Sequence, residues 1–99
     1  MHAPATAVAD NPTEKRYELR SGDALLGIAN YRLEGDGVIV FTHTEIDPQQ
    51  EGKGYGSALA RGALDDVRTG RRKVVALCEF IARYIDDHPE YRELLKPKQ

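Results

Sequence analysis

The chain has 99 residues, 40% of them hydrophobic and 30% charged, which suffices for one globular domain with a small core and excludes two. Lys and Arg number 14 against 16 Asp and Glu, and the net charge of -2 argues against nucleic acid as the main ligand. The single cysteine, Cys78, excludes an internal disulfide framework and fits a reducing compartment, and no apolar run reaches the ~20 residues of a membrane span.

Residues 1–13, Met1 to Thr13, are rich in Ala, Pro and small polar residues and show no hydrophobic period, so they are expected to form a disordered tail. They also lack a basic segment followed by an apolar core, so no signal peptide is expected and the default location is cytoplasmic. The folded domain is placed at residues 14–99, as a monomer or weak dimer without a membrane partner.

Within it, Arg16–Arg20 alternates Tyr17 and Leu19 against charged neighbours, the pattern of a half-buried strand. Ser21-Gly22-Asp23 reads as a turn. Leu25–Leu33 is a second strand with Leu25, Gly27, Ala29, Tyr31 and Leu33 on one parity, and the small Gly27 and Ala29 mark a close approach on that face. Glu34-Gly35-Asp36-Gly37 is a hairpin signal before a third strand, Val38–Ile46, which Asp47-Pro48 ends. Leu59, Ala60, Ala63, Leu64 and Val67 recur at helical spacing over Tyr55–Arg68, with Gly70 as the stop. Lys73–Leu77 is a short strand, Phe80–Asp87 a second helix, and Pro89–Leu95 a last turn or two after the break at His88-Pro89. The order β-β-β-α-β-α predicts an α+β fold with a mixed sheet: an antiparallel meander plus a last strand made parallel by the helical crossover.

The chemistry concentrates between the third strand and the first helix, at Asp47–Ser57. Gly52, Gly54 and Gly56 alternate, which leaves backbone N–H groups uncovered and allows positive φ. Successive N–H groups in such a loop, with the free N–H groups and positive dipole end of the following helix, make a site for a diphosphate. Lys53 adds a charge at the rim. A Walker loop requires Gly-Lys followed by Ser or Thr and is absent. A dinucleotide fingerprint requires G-x-G-x-x-G after the first strand of a βαβ unit, and here the spacing is G-x-G-x-G after a meander.

The loop resembles the acetyl-CoA loop of the GNAT N-acetyltransferase superfamily: Gln or Arg, two residues, Gly, one residue, then Gly or Ala. Two registers fit. Gln49 with Gly52 and Gly54 matches literally; Glu51 with Gly54 and Gly56 keeps the spacing, replaces the first residue, and sets Gly56-Ser57-Ala58-Leu59 at the helix start. Together with Phe41–Glu45, Leu77-Cys78-Glu79-Phe80 and His88-Pro89-Glu90-Tyr91, it is similar to the short stand-alone GNAT-like proteins, over Arg16 to Leu95. The resemblance implies a minimal GNAT-like fold, acetyl-CoA as cosubstrate and N-acetyltransferase activity towards an amine acceptor, either a small amine or a protein lysine. It further implies pantetheine pairing with the backbone of Thr44, Glu45 and Ile46 where the third and fourth strands splay apart. The diphosphate would lie on Glu51, Gly52, Lys53, Gly54, Tyr55, Gly56 and Ser57, and the acetyl group would point toward Cys78.

Cys78 precedes a helix, where N–H groups favour a thiolate; the alternative is a buried small hydrophobe. Glu45 and His43 lie two apart on one strand face, either one a candidate general base for an ammonium acceptor, or else simply a solvated polar residue. Tyr84 is the candidate proton donor to the departing thiolate, with Tyr91 behind it; the same spacing marks Tyr84 as core. No His, Cys or carboxylate cluster has metal-site spacing, so no metal is expected. Arg68, Arg71, Arg72 and Lys73 read as a solvated helix end rather than a nucleic-acid site. The rival to an enzyme is a non-catalytic acyl-CoA-binding module acting as sensor or partner protein.

Overall fold

A computed structural model describes residues 5–97. Five strands make one sheet in sequence order: β1 (Thr6–Asn11), β2 (Arg16–Ser21), β3 (Ala24–Glu34), β4 (Val38–Ile46) and β5 (Lys73–Ala76). The first four are antiparallel neighbours, and β5 runs parallel to β4, as the crossover requires. The helices α1 (Tyr55–Thr69) and α2 (Glu79–Asp87) flank β5 in sequence, with 3-10 turns at Pro48–Gln50 and Pro89–Leu94.

The expected disordered tail is corrected at Thr6–Asn11, which pairs with β2 along its whole length. Val8 is the one side chain of this strand packed against the core, and it lies over Gly62 of α1. Asp10 accepts a hydrogen bond from the Tyr31 hydroxyl at 2.6 Å. The pattern was illegible because a strand of Ala, Asp and Asn with one inward Val carries no apolar alternation. Residues 1–4 of that stretch lie outside the described residues.

Gly62 makes the docking possible: a Cβ there would stand 2.5 Å from Val8 Cβ. Gly→Ala inside a helix ordinarily stabilises by about 0.5–1 kcal/mol. Gly62→Ala is therefore expected to reverse that sign and destabilise by about 1–2 kcal/mol through overpacking, with the loss recovered in Gly62→Ala/Val8→Ala. Urea midpoints of the three variants check this.

The core lies between the sheet and both helices. Tyr17, Leu19, Ala29, Tyr31, Ile39 and Phe41 meet Leu59, Ala63, Leu64, Val67, Ile81 and Ile85. Tyr17, Tyr31 and Phe41 pack as a tilted cluster with centroids 5.6–6.4 Å apart. The Tyr17 hydroxyl donates to Asp66 at 2.6 Å, tying β2 to α1, and burial pushes its pKa up. Gly27 is indeed a close approach: a Cβ there would lie 2.5 Å from Ile46 Cδ1. Gly70 is the C-cap of α1, but the left-handed residue is Arg71 (φ 58), whose neighbour Arg72 closes the end by donating to the Val67 carbonyl at 3.1 Å.

On the opposite sheet face Glu18 is buried and accepts from Asn11, Arg16 and Arg20. The Asn11 hydrogen bond, then those of Arg16 and Arg20, hold its carboxyl down at about 2, against an ordinary 4.5. Because the folded pKa is depressed, this contribution is complete above about pH 4.5 and lost as pH falls through about 2. Glu18→Gln is expected to cost on the order of 1–2 kcal/mol at pH 7, the partly exposed arginines screening the remainder, and almost nothing near pH 2. Urea unfolding against pH reads that convergence.

Candidate active site

β4 is longer than its partner. Its parallel pairing with β5 ends at Phe41↔Ala76, whereas β4 continues to Ile46. The Phe41 carbonyl accepts from both Leu77 N (3.0 Å) and Cys78 N (2.9 Å), which turns the chain away from the sheet into α2. The edge of Thr42–Ile46 facing α2 is therefore unpaired among the described residues.

A register shift against β3 falls at the same place, with Asn30 opposite His43 and Tyr31 opposite Phe41, so that Thr42 is the extra residue of a bulge. The bulge resets the parity of the strand. Thr44 and Ile46 join Ile39 and Phe41 on the helix side, while His43 and Glu45 stand on the other face. The latter two are exposed and close, with Nε2 and Oε1 3.5 Å apart.

Beyond β4, Asp47 caps the 3-10 turn by accepting from Gln49 N at 3.0 Å. Gly52 and Gly54 then take φ of 83° and 78°, with open space where a Cβ would stand. Gly54 is the N-cap of α1, and the first helical bond runs from Ala58 N to its carbonyl at 3.1 Å. The N–H groups of Tyr55, Gly56 and Ser57 thus have no helical partner. At Gly56 the Phe80 ring comes close: a Cβ there would stand 2.8 Å from Phe80 Cζ, so the half-exposed ring would have to shift. Lys53 turns back to Gln50, donating at 3.1 Å.

Thr44, Ile46, Glu51, Gly52, Gly54, Tyr55, Gly56 and Phe80 line a groove of about 270 Å³ along this edge. A larger groove of about 550 Å³ lies on its other side, with Leu25, Leu26, Ile28, Glu45, Asp47 and Pro48. Thr44, Ile46 and Glu51 line both. Phe80 and the apolar wall at Leu25, Leu26 and Ile28 were not legible as site residues. Phe80 shares the helical spacing of core residues yet is 41% exposed, and Leu26 faces inward only because a second bulge interrupts β2 and β3 at Leu19/Arg20.

Cys78, buried at 7% exposure, is the N-cap of α2, but its side chain makes no cap hydrogen bond. The helix-amide contact expected to favour a thiolate is not formed. Sγ lies instead 3.1 Å from Thr44 Oγ1, which ties α2 to the splayed part of β4. Tyr84 is not brought to this groove. One turn beyond Phe80 on α2, it stacks on His88 with centroids 3.9 Å apart and lines a separate cleft with Arg61. Tyr91 donates to Asp65 at 2.7 Å, and burial with that bond pushes its pKa up to about 12. Among the described residues no group of His, Cys, Asp and Glu is placed to hold a metal ion, and no helix is long and apolar enough to cross a membrane.

A family model for the GCN5-related N-acetyltransferase matches residues 16–94. The chain belongs to that family. It is 32% identical to Protein NATD1 of Mus musculus over 69 residues, 68% of this chain and 63% of that protein. Against Protein NATD1 of Homo sapiens the identity is again 32%, over 68% of this chain and 61% of that protein. The match thus spans less than two thirds of either relative. Among solved structures, a GCN5-like protein of Staphylococcus aureus superposes with a TM-score of 0.69 at 18% identity, covering 94% of this chain and 90% of that one. That likeness gives the fold: a minimal GNAT architecture, built from a five-stranded mixed sheet and two helices.

Proposed function

We propose that this member of the family is an N-acetyltransferase that binds acetyl-CoA along the groove between the glycine loop and the free edge of β4, and passes the acetyl group to an amine. The observation that carries the reading is the unequal length of β4 and β5, which leaves the α2-facing edge of Thr42–Ile46 without a strand partner among the described residues, beside a helix whose first N–H groups are free. The loop Glu51–Ser57 holds the diphosphate through backbone N–H groups, with Gly52 and Gly54 supplying the left-handed backbone that aims them. Glu51, where the superfamily signature has Gln or Arg, contributes backbone only. The pantetheine amides pair with the backbone of Thr44–Ile46, and a β4 N–H polarises the thioester carbonyl.

The amine approaches from the larger groove, which shares Thr44, Ile46 and Glu51 with the first. Glu45 lines that groove and takes the ammonium proton, with His43 beside it at 3.5 Å. The amine lone pair attacks the thioester carbon. The C–N bond forms and gives a tetrahedral adduct whose nitrogen carries one proton too many; as the C–S bond breaks, that proton passes through water to the departing thiolate, which leaves as the CoA thiol. Direct transfer is favoured over an acyl-Cys78 relay, because Sγ is buried and engaged by Thr44.

Acetyl transfer to a panel of amines, with Cys78→Ala and Glu45→Gln alongside, tests this. Turnover that survives Cys78→Ala within about threefold and falls at least tenfold in Glu45→Gln is expected. Acetyl-CoA binding without turnover of any amine would make the chain a binding module. Loss of turnover in Cys78→Ala together with a trapped acyl-enzyme would establish the relay instead.

A further inference from the structure

The larger groove beside β4 is built for a particular kind of amine. Its volume is about 550 Å³, and one wall of it is apolar, formed by Leu25, Leu26, Ile28 and Pro48. Ile28 is the strand partner of Glu45, so the apolar wall begins beside the residue that takes the ammonium proton. Glu45, Asp47 and Glu51 line the same groove, and no Lys or Arg does.

The nearby cations are committed elsewhere. Arg20, across from Leu25, is held by Glu18 and by the Asp23 carbonyl, and Arg16 is held by Glu18 as well. Lys53 donates to Gln50 and not to Glu51. His43 is the one basic side chain within reach of Glu45, at 3.5 Å. Neither Asp47 nor Glu51 forms an ion pair among the described residues. Asp47 accepts from Gln49 N through Oδ1, which leaves Oδ2 for another donor.

The carboxylates are also spread along the groove. The backbone at Asp47 is still extended, with φ -49° and ψ 123°, and two extended residues advance about 6–7 Å. Glu45 therefore marks one station, at the reacting nitrogen, and Asp47 with Glu51 marks a second. Glu51 lines both grooves, so a bound diphosphate adds negative charge on the side of the second station. An acceptor with a carboxylate there meets like charge, and one rich in hydroxyls leaves the apolar wall without a partner. We infer that the acceptor is an alkyl diamine or a longer polyamine, with its reacting nitrogen at Glu45, its methylenes on Leu25, Ile28 and Pro48, and its second ammonium at Asp47 and Glu51. This acceptor class rests on the acetyl-transfer reading above and narrows it. The second ammonium keeps its proton throughout, and the products are the mono-N-acetyl diamine and the CoA thiol.

Acetyl transfer to acceptors of matched length, 1,4-diaminobutane, n-butylamine and 4-aminobutyrate, tests it, with calorimetric titration of acetyl-CoA alongside. Their far ends are cationic, apolar and anionic. kcat/KM for 1,4-diaminobutane is expected to exceed that for n-butylamine at least tenfold, beyond the factor of two owed to its two equivalent nitrogens, with 4-aminobutyrate the poorest of the three. Asp47→Asn keeps the oxygen that caps the 3-10 turn and removes the charge. Combined with Glu51→Gln it is expected to shrink the diamine preference below threefold, mainly by raising KM for the diamine, and added salt is expected to shrink it in the wild-type protein. Equal kcat/KM for the diamine and n-butylamine overturns the second-ammonium station, and so does a preference that survives the double variant or a loss that falls equally on both acceptors. A lysine peptide acetylated while 1,4-diaminobutane is not overturns the small-diamine acceptor. Acetyl-CoA binding with turnover of none of the three amines overturns the acceptor class and leaves a binding module. Absence of acetyl-CoA binding sinks the acetyl-transfer reading itself.

Discussion

Gly54→Asp is expected to weaken acetyl-CoA binding at least 100-fold, about 2.8 kcal/mol. Two effects combine. Gly54 has φ of 78°, where a side chain is strained, and it is the N-cap of α1, directly beneath the proposed diphosphate. A carboxylate there meets like charge at close range; at about 4 Å and an effective dielectric near 20, one pair of unit charges is worth about 4 kcal/mol. No steric clash contributes, since nothing stands within 4 Å of the position a Cβ would take. The control is Gly35→Asp, in the β3–β4 turn, which also has positive φ (50°) and open space but lies away from the loop. It is expected to cost similar stability and to leave affinity unchanged. Calorimetric titration of both variants, with thermal unfolding alongside, separates the electrostatic effect from the backbone effect.

Phe41→Ala is expected to be the most damaging single change to the fold, at about 3–5 kcal/mol. The ring is fully buried between Tyr17 and Tyr31, with centroids 6.0 and 6.4 Å away, and little around it can collapse to fill the space. Its position matters beyond packing. The Phe41 carbonyl holds Leu77 and Cys78 where β4 and β5 part, so the groove is hinged on this residue. For a domain of this size each kcal/mol corresponds to about 4–8 °C, and a melting point lowered by at least ~12 °C is expected from circular dichroism. A drop under about 5 °C would show that the aromatic cluster is not the centre of the core.

What was legible in the sequence, and what was not, follows from which interactions are local. The glycine loop declared itself because Gly at alternate positions between a strand and a helix has few other uses, and Gly52 and Gly54 do take positive φ. The helix faces of α1 and the parallel β5 followed from periodicity and crossover length. β1 did not, because its place depends on a gap left by Gly62, more than fifty residues away in sequence. Nor did the bulge at Thr42, an offset between two strands that the residues of one strand do not encode; it is what puts Thr44, rather than His43 and Glu45, on the helix side beside the Cys78 thiol. Tyr84 shows a third limit. Its spacing identifies a buried residue, but the cleft it lines is built with Arg61, Asp65 and Arg68 of α1, and no pattern within α2 reports that.

The most direct test of the account is a titration of the 15N-labelled protein with acetyl-CoA followed by amide resonances. Saturable shifts are expected at Gly52–Ser57, from the diphosphate, and at Thr44–Ile46, from the pantetheine arm, with β1 and β2 amides unmoved. Shifts absent at millimolar ligand, or confined to residues outside the loop and the free edge of β4, would contradict it.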